Sequence, residues 1–313
     1  MTQSAVLLNP SRVRSPDSVR SLLRKVLRSH AWPDPIWIET DPAGGEFERI
    51  EAARTRGAEI LFACGGDGTV MAAAQALSGT DTALAVVPLG SGNLLARSLG
   101  LPRDTLGAIL VGIDGRRQRI DLGEVDGRSF TVAAGIGLDA QMVAGAPRLA
   151  KQLLGWLAYV PAGLRHLPEA GFQVEVRVDN GAPVLRRVRS VLVANVGTLP
   201  GGIKLLPLAA AADGLLDVVL IAPTTLREWL RIVARLGVRH PGGAGLETFR
   251  GATVEVTTDL PQPREADGEA LSEGVGLLVQ IRPAALLICV PPATGRLPHP
   301  HEVSFPAPTQ PPN

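Results

Sequence analysis

The chain has 313 residues, 45% of them hydrophobic, and a formal charge of +1 from 31 basic and 30 acidic side chains. That length exceeds what one hydrophobic core usually organises, so two domains are expected. The near-neutral charge and the 4% aromatic content exclude a strongly polyanion-binding surface and a base-stacking platform, which argues against nucleic acid as a partner.

The N-terminus, MTQSAVLLNPSRV, has a short apolar run and no basic region before it, which argues against a signal peptide. The stretch Gln152 to Leu164 is uncharged but contains two glycines and a proline. It falls short of the roughly 18 apolar residues that crossing a membrane needs, and cytoplasmic residence is the default. Cys64 and Cys289, the only cysteines, each sit in an apolar strand-like run and read as reduced core residues.

Through the first 120 residues, short apolar runs alternate with helix-like segments: SAVLLNP then SPDSVRSLLRKVLRSH, PIWIET then GGEFERIEAARTRG, AEILFACGG then TVMAAAQALSG, ALAVVP then NLLARSLG. Alternation of this kind predicts an α/β domain with a parallel sheet. Ligands of such sheets gather at the carboxyl ends of the strands, where Asn9, Thr40, Gly65 to Thr69 and Pro88 to Asn93 fall.

Beyond Asp121 the rhythm becomes strand-like, in RSFTVAAG, FQVEVRVD, RRVRSVLVANV, GLLDVVLIA, TFRGATVEVTT and GLLVQI, with DG, DNG and PGG turns between them. An all-β, sandwich-like second domain is expected, with helical insertions near 151–167 and 224–236. The division is therefore 1–124 and 125–282, with a segment at about 283–292 free to return to the first domain. Residues 293–313 form a proline-rich tail expected to be disordered. His299 and His301 lie in it without further ligands nearby and make a poor metal site.

The sequence CGGDGTV, residues 64 to 70, places glycines where a strand gives way to a helix. A helix N-terminus offers unpaired N–H groups and a positive dipole, and glycines let a phosphate approach the backbone. Asp67 would repel a bare phosphate, so its presence points to a phosphate carrying a divalent cation. A tight turn with Asp67 capping the helix is the plainer alternative, and the residues alone leave both open. PLGSGNLLAR, residues 88 to 97, repeats the device after the next strand, with Ser91 and Asn93 as side-chain donors near Gly90. No Walker A pattern occurs. GIGLDA, residues 135 to 140, fits the letters of a dinucleotide fingerprint, but no acidic residue follows at the distance that ribose recognition requires.

Taken together, NP at 9–10, GGDGT at 65–69, PLGSGN at 88–93, IDLG at 120–123, GIGLDA at 135–140, DGLLDV at 213–218 and DGE at 267–269 resemble the bacterial diacylglycerol kinase-like lipid kinases, relatives of sphingosine and ceramide kinases. GGDGT alone is shared with NAD kinases. The resemblance implies an NAD kinase/diacylglycerol kinase-like nucleotide-binding domain, a β-sandwich domain behind it and an active site between them. It implies ATP and Mg²⁺ as cofactors and a lipid hydroxyl, such as that of diacylglycerol, as acceptor at the inner membrane face.

Carried over by position, Thr40, Gly65, Gly66, Asp67, Gly68, Thr69, Val70, Met71 and Ser91 would contact ATP, with Asn9, Gly90 and Asn93 completing that set. Asp67 and Asp121 would hold the catalytic Mg²⁺ directly or through water, and Glu269 would accept the proton. A separate structural Mg²⁺ would fall on Asp213 with the carbonyls of Ala210 and Leu215. Leu94 stands where the family usually has an aspartate, and Met71 where an asparagine is common. Two other readings therefore stay open: a kinase of a soluble acceptor such as NAD, and a catalytically silent nucleotide- or lipid-binding regulator. KQLLGWLAYVPAGLRHL, residues 151 to 167, reads as core cover or as a helix in the membrane interface. Homodimerisation through a sheet edge has no residue to mark it.

Overall fold

A computed structural model describes residues 2–10, 13, 15–40, 44–137, 171–199, 203–204, 206, 209–223, 228 and 246–292. The insertion expected near 151–167, that near 224–236 apart from residue 228, residues 138–140 of GIGLDA and the tail 293–313 lie outside them.

The first half alternates strand and helix: β1 (Gln3–Leu8), α1 (Pro16–Ser29), β2 (Ile36–Glu39), α2 (Glu46–Thr55), β3 (Ala58–Gly65), α3 (Asp67–Leu77), β4 (Ala83–Pro88) and α4 (Leu94–Ser98). The strands pair in parallel in the order β2-β1-β3-β4. β3 and β4 are buried along nearly their whole length, as strands covered on both faces must be, so their sequences are continuously apolar instead of alternating. In α1, Pro16 fits the first turn and Val19, Leu23, Val26 and Leu27 recur at helical spacing to form the buried face. On its other face Arg24 lies over Trp37, 5.3 Å from the ring centroid.

A further helix, α5 (Thr105–Asp114), was not anticipated from the sequence. Its signal was local: Asp104 accepts the Gly107 N–H at 2.7 Å ahead of the apolar run LGAILVGI, an ordinary N-cap. α5 packs on α1 and β4, while α2 packs on α3.

The second half is antiparallel. It comprises β5 (Arg116–Val125), β6 (Arg128–Phe130), β7 (Ala133–Gly137), β8 (Phe172–Val178), β9 (Val184–Val188), β10 (Ser190–Ala194), β11 (Thr198–Leu199), β12 (Ile203–Lys204), β13 (Leu216–Ile221), β14 (Leu246–Gly251), β15 (Thr253–Ala266) and β16 (Glu269–Val290). Alternating buried and exposed positions in β8 and much of β15 mark strands with one covered face.

β16 joins the two halves. Its first part pairs with β15, and its last part pairs antiparallel with β5 and, at Ile288 against Leu84, parallel with β4. Between these parts the register slips from Arg282 to Leu286. There Pro283 has no N–H to give to a ladder, and Ala284 takes φ +51°. Among the described residues the result is one 14-stranded mixed sheet, with an α/β arrangement at one end and a β-sandwich-type arrangement at the other.

Two hydrophobic cores follow, one around Leu8, Phe62, Leu84 and Ile288, the other around Phe130, Val174, Val191, Val218 and Val279. Met71 of α3 packs against the second core, so the helix after the first glycine corner touches both halves. Cys64 and Cys289 are free and buried in the first core. Burial pushes the Cys64 thiol pKa well up, and that of Cys289 to about 11, as inert core thiols require. No helix among the described residues is long and apolar enough to cross a membrane.

Candidate active site

Parallel pairing sets Thr40, Asn9, Gly65 and Pro88 side by side at the carboxyl edge of the sheet. Their backbones are stitched across it: Thr40 N–H donates to Leu8 O (2.9 Å), Asn9 N–H to Cys64 O (3.4 Å) and Leu89 N–H to Gly65 O (2.8 Å). The two glycine corners meet here. A Cβ on Gly90 would lie 2.5 Å from the Cα of Gly66, so only glycine permits this approach of backbone to backbone. Gly90→Ala is expected to force the corners apart, costing about 1–3 kcal/mol as an overpacked contact does. Urea unfolding of the variant would measure the loss.

Asp67 does not cap its own helix. Gly66 occupies the N-cap of α3 in extended conformation with no side-chain cap, and the Asp67 carboxylate crosses to α4. Its Oδ2 accepts the Asn93 N–H (2.9 Å) and its Oδ1 the Leu94 N–H (2.6 Å). The first N–H groups of the second corner are therefore taken by a protein carboxylate. Gly92 leaves room for that contact, since a Cβ there would strike Asp67 Oδ2.

Of the two side-chain donors expected in this loop, Asn93 is occupied internally. Its Nδ2 donates to Gly90 O (2.7 Å) and its Oδ1 accepts the Gly90 N–H (3.0 Å), closing the loop on itself with Asn93 at φ +49°. Ser91 is exposed. Leu94 is buried in the first core, so an aspartate there would lose its solvation. Thr69 and Val70 are buried too, and Thr69 folds over Gly65. These two residues can offer a ligand their main chain only.

The first turn of α3 opens into a cavity of about 160 Å³, lined by Asp67, Gly68, Met71, Gln75, Arg128, Ser129, Ala266, Asp267, Glu269 and Leu271. Glu269 thus comes together with Asp67 across the two halves. A Cβ on Gly68 would sit 3.4 Å from Glu269 Oε1, so carboxylate and helix N-terminus are close enough to share a small ligand.

Glu269 follows the turn between β15 and β16, where Asp267 (φ +47°) and Gly268 (φ +82°) take the left-handed conformations such a turn needs. The turn is fastened from inside. Asp267 Oδ2 accepts the Thr131 N–H and Oγ1–H, both at 2.7 Å, and Oδ1 accepts the Val132 N–H (2.8 Å) and Ala133 N–H (3.0 Å). Burial pushes the Asp267 carboxyl pKa up, against these bonds that favour the charged form. Glu265, itself buried, accepts the Gly268 N–H at 2.7 Å. Glu265, Arg128 and Thr131 were not singled out from the sequence, and Asp267 only as the first residue of the DGE motif. The Asp-Gly pair signalled the turn but not what its aspartate binds.

Asp121 on β5 does not line this cavity. It is 3% exposed, with Oδ1 accepting the Ala284 N–H and Oδ2 the Gly214 N–H, each at 2.7 Å. It ties the β16 bulge to the turn before β13. Its own carbonyl accepts from Asn195 Nδ2 (2.9 Å). Asp213 carries the Arg250 guanidinium on Oδ2 and accepts the Leu215 N–H on Oδ1 (3.1 Å). The Asp213 carboxylate is thus paired with an arginine in this structure.

The fold defined by these elements is that of the diacylglycerol kinase and NAD kinase group. Residues 4–125 match the diacylglycerol kinase catalytic domain, and residues 131–290 match the YegS C-terminal NAD kinase beta sandwich-like domain. The diacylglycerol kinase of Bacillus subtilis is 30% identical over 277 residues, covering 86% of this chain and 90% of that protein. A protein of Pseudomonas aeruginosa named probable lipid kinase YegS-like is 34% identical over 260 residues, covering 79% and 82%. Among solved structures, a diacylglycerol kinase from Bacillus anthracis superposes with a TM-score of 0.70 at 19% identity over 93% of this chain and 97% of that one. An NAD kinase from Archaeoglobus fulgidus in complex with ATP gives 0.51 at 12% identity over 92% and 93%, a likeness of fold alone.

The chain belongs to the diacylglycerol kinase-like lipid kinase family. It is a phosphotransferase with an alcohol group as acceptor.

Proposed function

We propose that the protein transfers the γ-phosphoryl group of ATP to a hydroxyl of diacylglycerol or a similar lipid presented at a membrane surface. The observation that carries this reading is the shared cavity of Asp67, Gly68 and Glu269. On this reading residues 1–124 are the nucleotide half and residues 125–282 the acceptor half, and the pairing of Ile288 with Leu84 supports a return of the segment at about 283–292 to the first.

Phosphoryl transfer asks a protein to hold the triphosphate, neutralise its charge and align the attacking oxygen. The first N–H groups of α3, ahead of the Val70 bond to Gly66 O, are free of helical partners and would receive phosphate oxygens. Thr40, Asn9, Gly65, Gly66, Gly90 and Ser91 would line the nucleotide along the sheet edge. Glu269, exposed at the cavity, would accept the hydroxyl proton.

The residues fit a Mg²⁺ ion of the usual enzymic kind, which binds through one or two carboxylates plus substrate phosphates and needs no protein cage. The described residues contain no group of three or more ligating side chains. Asp67, which lines the cavity, would hold the ion. When bound it would neutralise charge on the β- and γ-phosphate oxygens.

The test is incubation of the protein with γ-labelled ATP and Mg²⁺ against vesicles containing diacylglycerol and related lipids, and separately against NAD. Label is expected in a lipid. Label in NAD and in no lipid would establish the soluble-acceptor alternative instead, and ATP binding with no labelled product would favour a silent regulator.

A further inference from the structure

Four charged side chains line the cavity: Asp67, Arg128, Asp267 and Glu269. Two of them are occupied, Asp67 by the N–H groups of Asn93 and Leu94 and Asp267 by Thr131, Val132 and Ala133. Arg128 and Glu269 have no hydrogen bond or ion pair of their side chains among the described residues. One free anion and one free cation therefore remain in a space that also receives the N-terminal turn of α3.

We infer that Arg128 binds the terminal phosphate of the nucleotide and neutralises the charge of the group being transferred. This rests on the kinase reading of the cavity. A guanidinium presents a planar fork of donors that matches two phosphate oxygens and keeps its charge at any working pH. Stabilising charge as it spreads over the equatorial oxygens is the main task in this chemistry.

The placement of Arg128 is built. It stands at the start of β6, just past the Asp126–Gly127 turn, whose residues take φ +51° and +73°. Asp126 is held at 2.9 Å by Arg264, whose side chain is 11% exposed. Arg264 also donates to Ser272 O (2.7 Å) and Gly276 O (3.0 Å), so the hairpin is fastened to the β15–β16 ribbon that carries Glu269. β6 in turn packs against α3. Cation and base thus share one support, facing the helix that would hold the phosphates.

In the transfer, the acceptor oxygen bonds to the γ-phosphorus. The bond from that phosphorus to the β–γ bridging oxygen breaks, and its electron pair leaves on ADP. The hydroxyl proton passes to Glu269. Arg128 donates hydrogen bonds to non-bridging γ-oxygens throughout and neither makes nor loses a covalent bond.

The experiment is calorimetric titration of wild type, Arg128→Ala and Arg128→Lys with ATP, ADP and AMP, alongside the kcat of phosphoryl transfer. Arg128 is exposed, so both variants are expected to keep the wild-type melting temperature. Arg128→Ala is expected to weaken ATP binding by about 10-fold to 100-fold, the range for loss of charge-assisted hydrogen bonds, and to leave AMP binding within about twofold. Arg128→Lys is expected to recover much of the ATP affinity while kcat stays about tenfold low, because a point charge does not replace the fork. If both variants bind ATP and turn over as wild type does, the assignment is overturned and the kinase reading survives. An equal loss of ATP and AMP affinity would also overturn it, by showing that Arg128 does not sense the terminal phosphate. Wild-type protein that binds no ATP would bring down the kinase reading itself.

Discussion

Glu269→Gln is expected to lower phosphoryl transfer by about 100-fold to 10,000-fold, the usual contribution of a positioned general base, with ATP affinity little changed. The substitution keeps size and shape but removes the ability to take a proton. Because Glu269 is exposed at the cavity and its side chain makes no hydrogen bond or ion pair among the described residues, the variant's melting temperature should match wild type. Rate and stability are then separable, which is seldom so for a residue in a sheet. The check is single-turnover transfer from labelled ATP at saturating acceptor. A Glu269→Gln enzyme with full transfer would show that the proton leaves by another route.

The second large effect is expected at Asp267, two residues earlier. Asp267→Ala would strip acceptors from the N–H groups of Thr131, Val132 and Ala133 and from the Thr131 hydroxyl. Enclosed donors left without partners cost about 1–3 kcal/mol each. Water can reach part of this half-buried residue, so a total loss of about 3 kcal/mol is expected. Asp267→Asn keeps an oxygen for one pair of donors but turns an NH₂ toward the other, and should fall between. Because this network sets the turn that aims Glu269, both variants should lose kcat while the KM for ATP holds near the wild-type value. Urea midpoints together with a kcat and KM comparison measure this. A wild-type midpoint and kcat in Asp267→Asn would show that the turn holds without the carboxylate.

Much of the α/β half was legible because its signals are local. Runs such as ILFAC and ALAVV can only be buried strands between glycine or proline stops, and the alternation with helices dictates parallel pairing. The helix at Thr105–Asp114 escaped because its glycines, Gly107 and Gly112, blur the apolar stripe, although its capping Asp104 was readable. The antiparallel strands were legible as elements, not as partners. Nothing local shows that GLLVQI and LLICV belong to one strand running through a bulge at Ala284.

The site divides the same way. The glycine corners and Glu269 are encoded in short motifs, whereas what each polar side chain binds is set across large sequence separations. Asp67 turns to the backbone of residues 93 and 94, Asp267 to residues 131–133, and Asp121 to Gly214 and Ala284. Asp67 appeared from the sequence as a cap for its own helix or a metal ligand. It caps a helix, but the one that begins 27 residues later.

The joint strand β16 also fixes the order in which the molecule can be assembled. On the ribosome, β4 emerges long before its neighbour, since Ile288 is made 204 residues after its partner Leu84. Until then the nascent α/β half carries an open strand edge, the kind of surface that pairs with foreign chains. A polypeptide halted before residue 286 would carry Glu269 yet leave that edge bare.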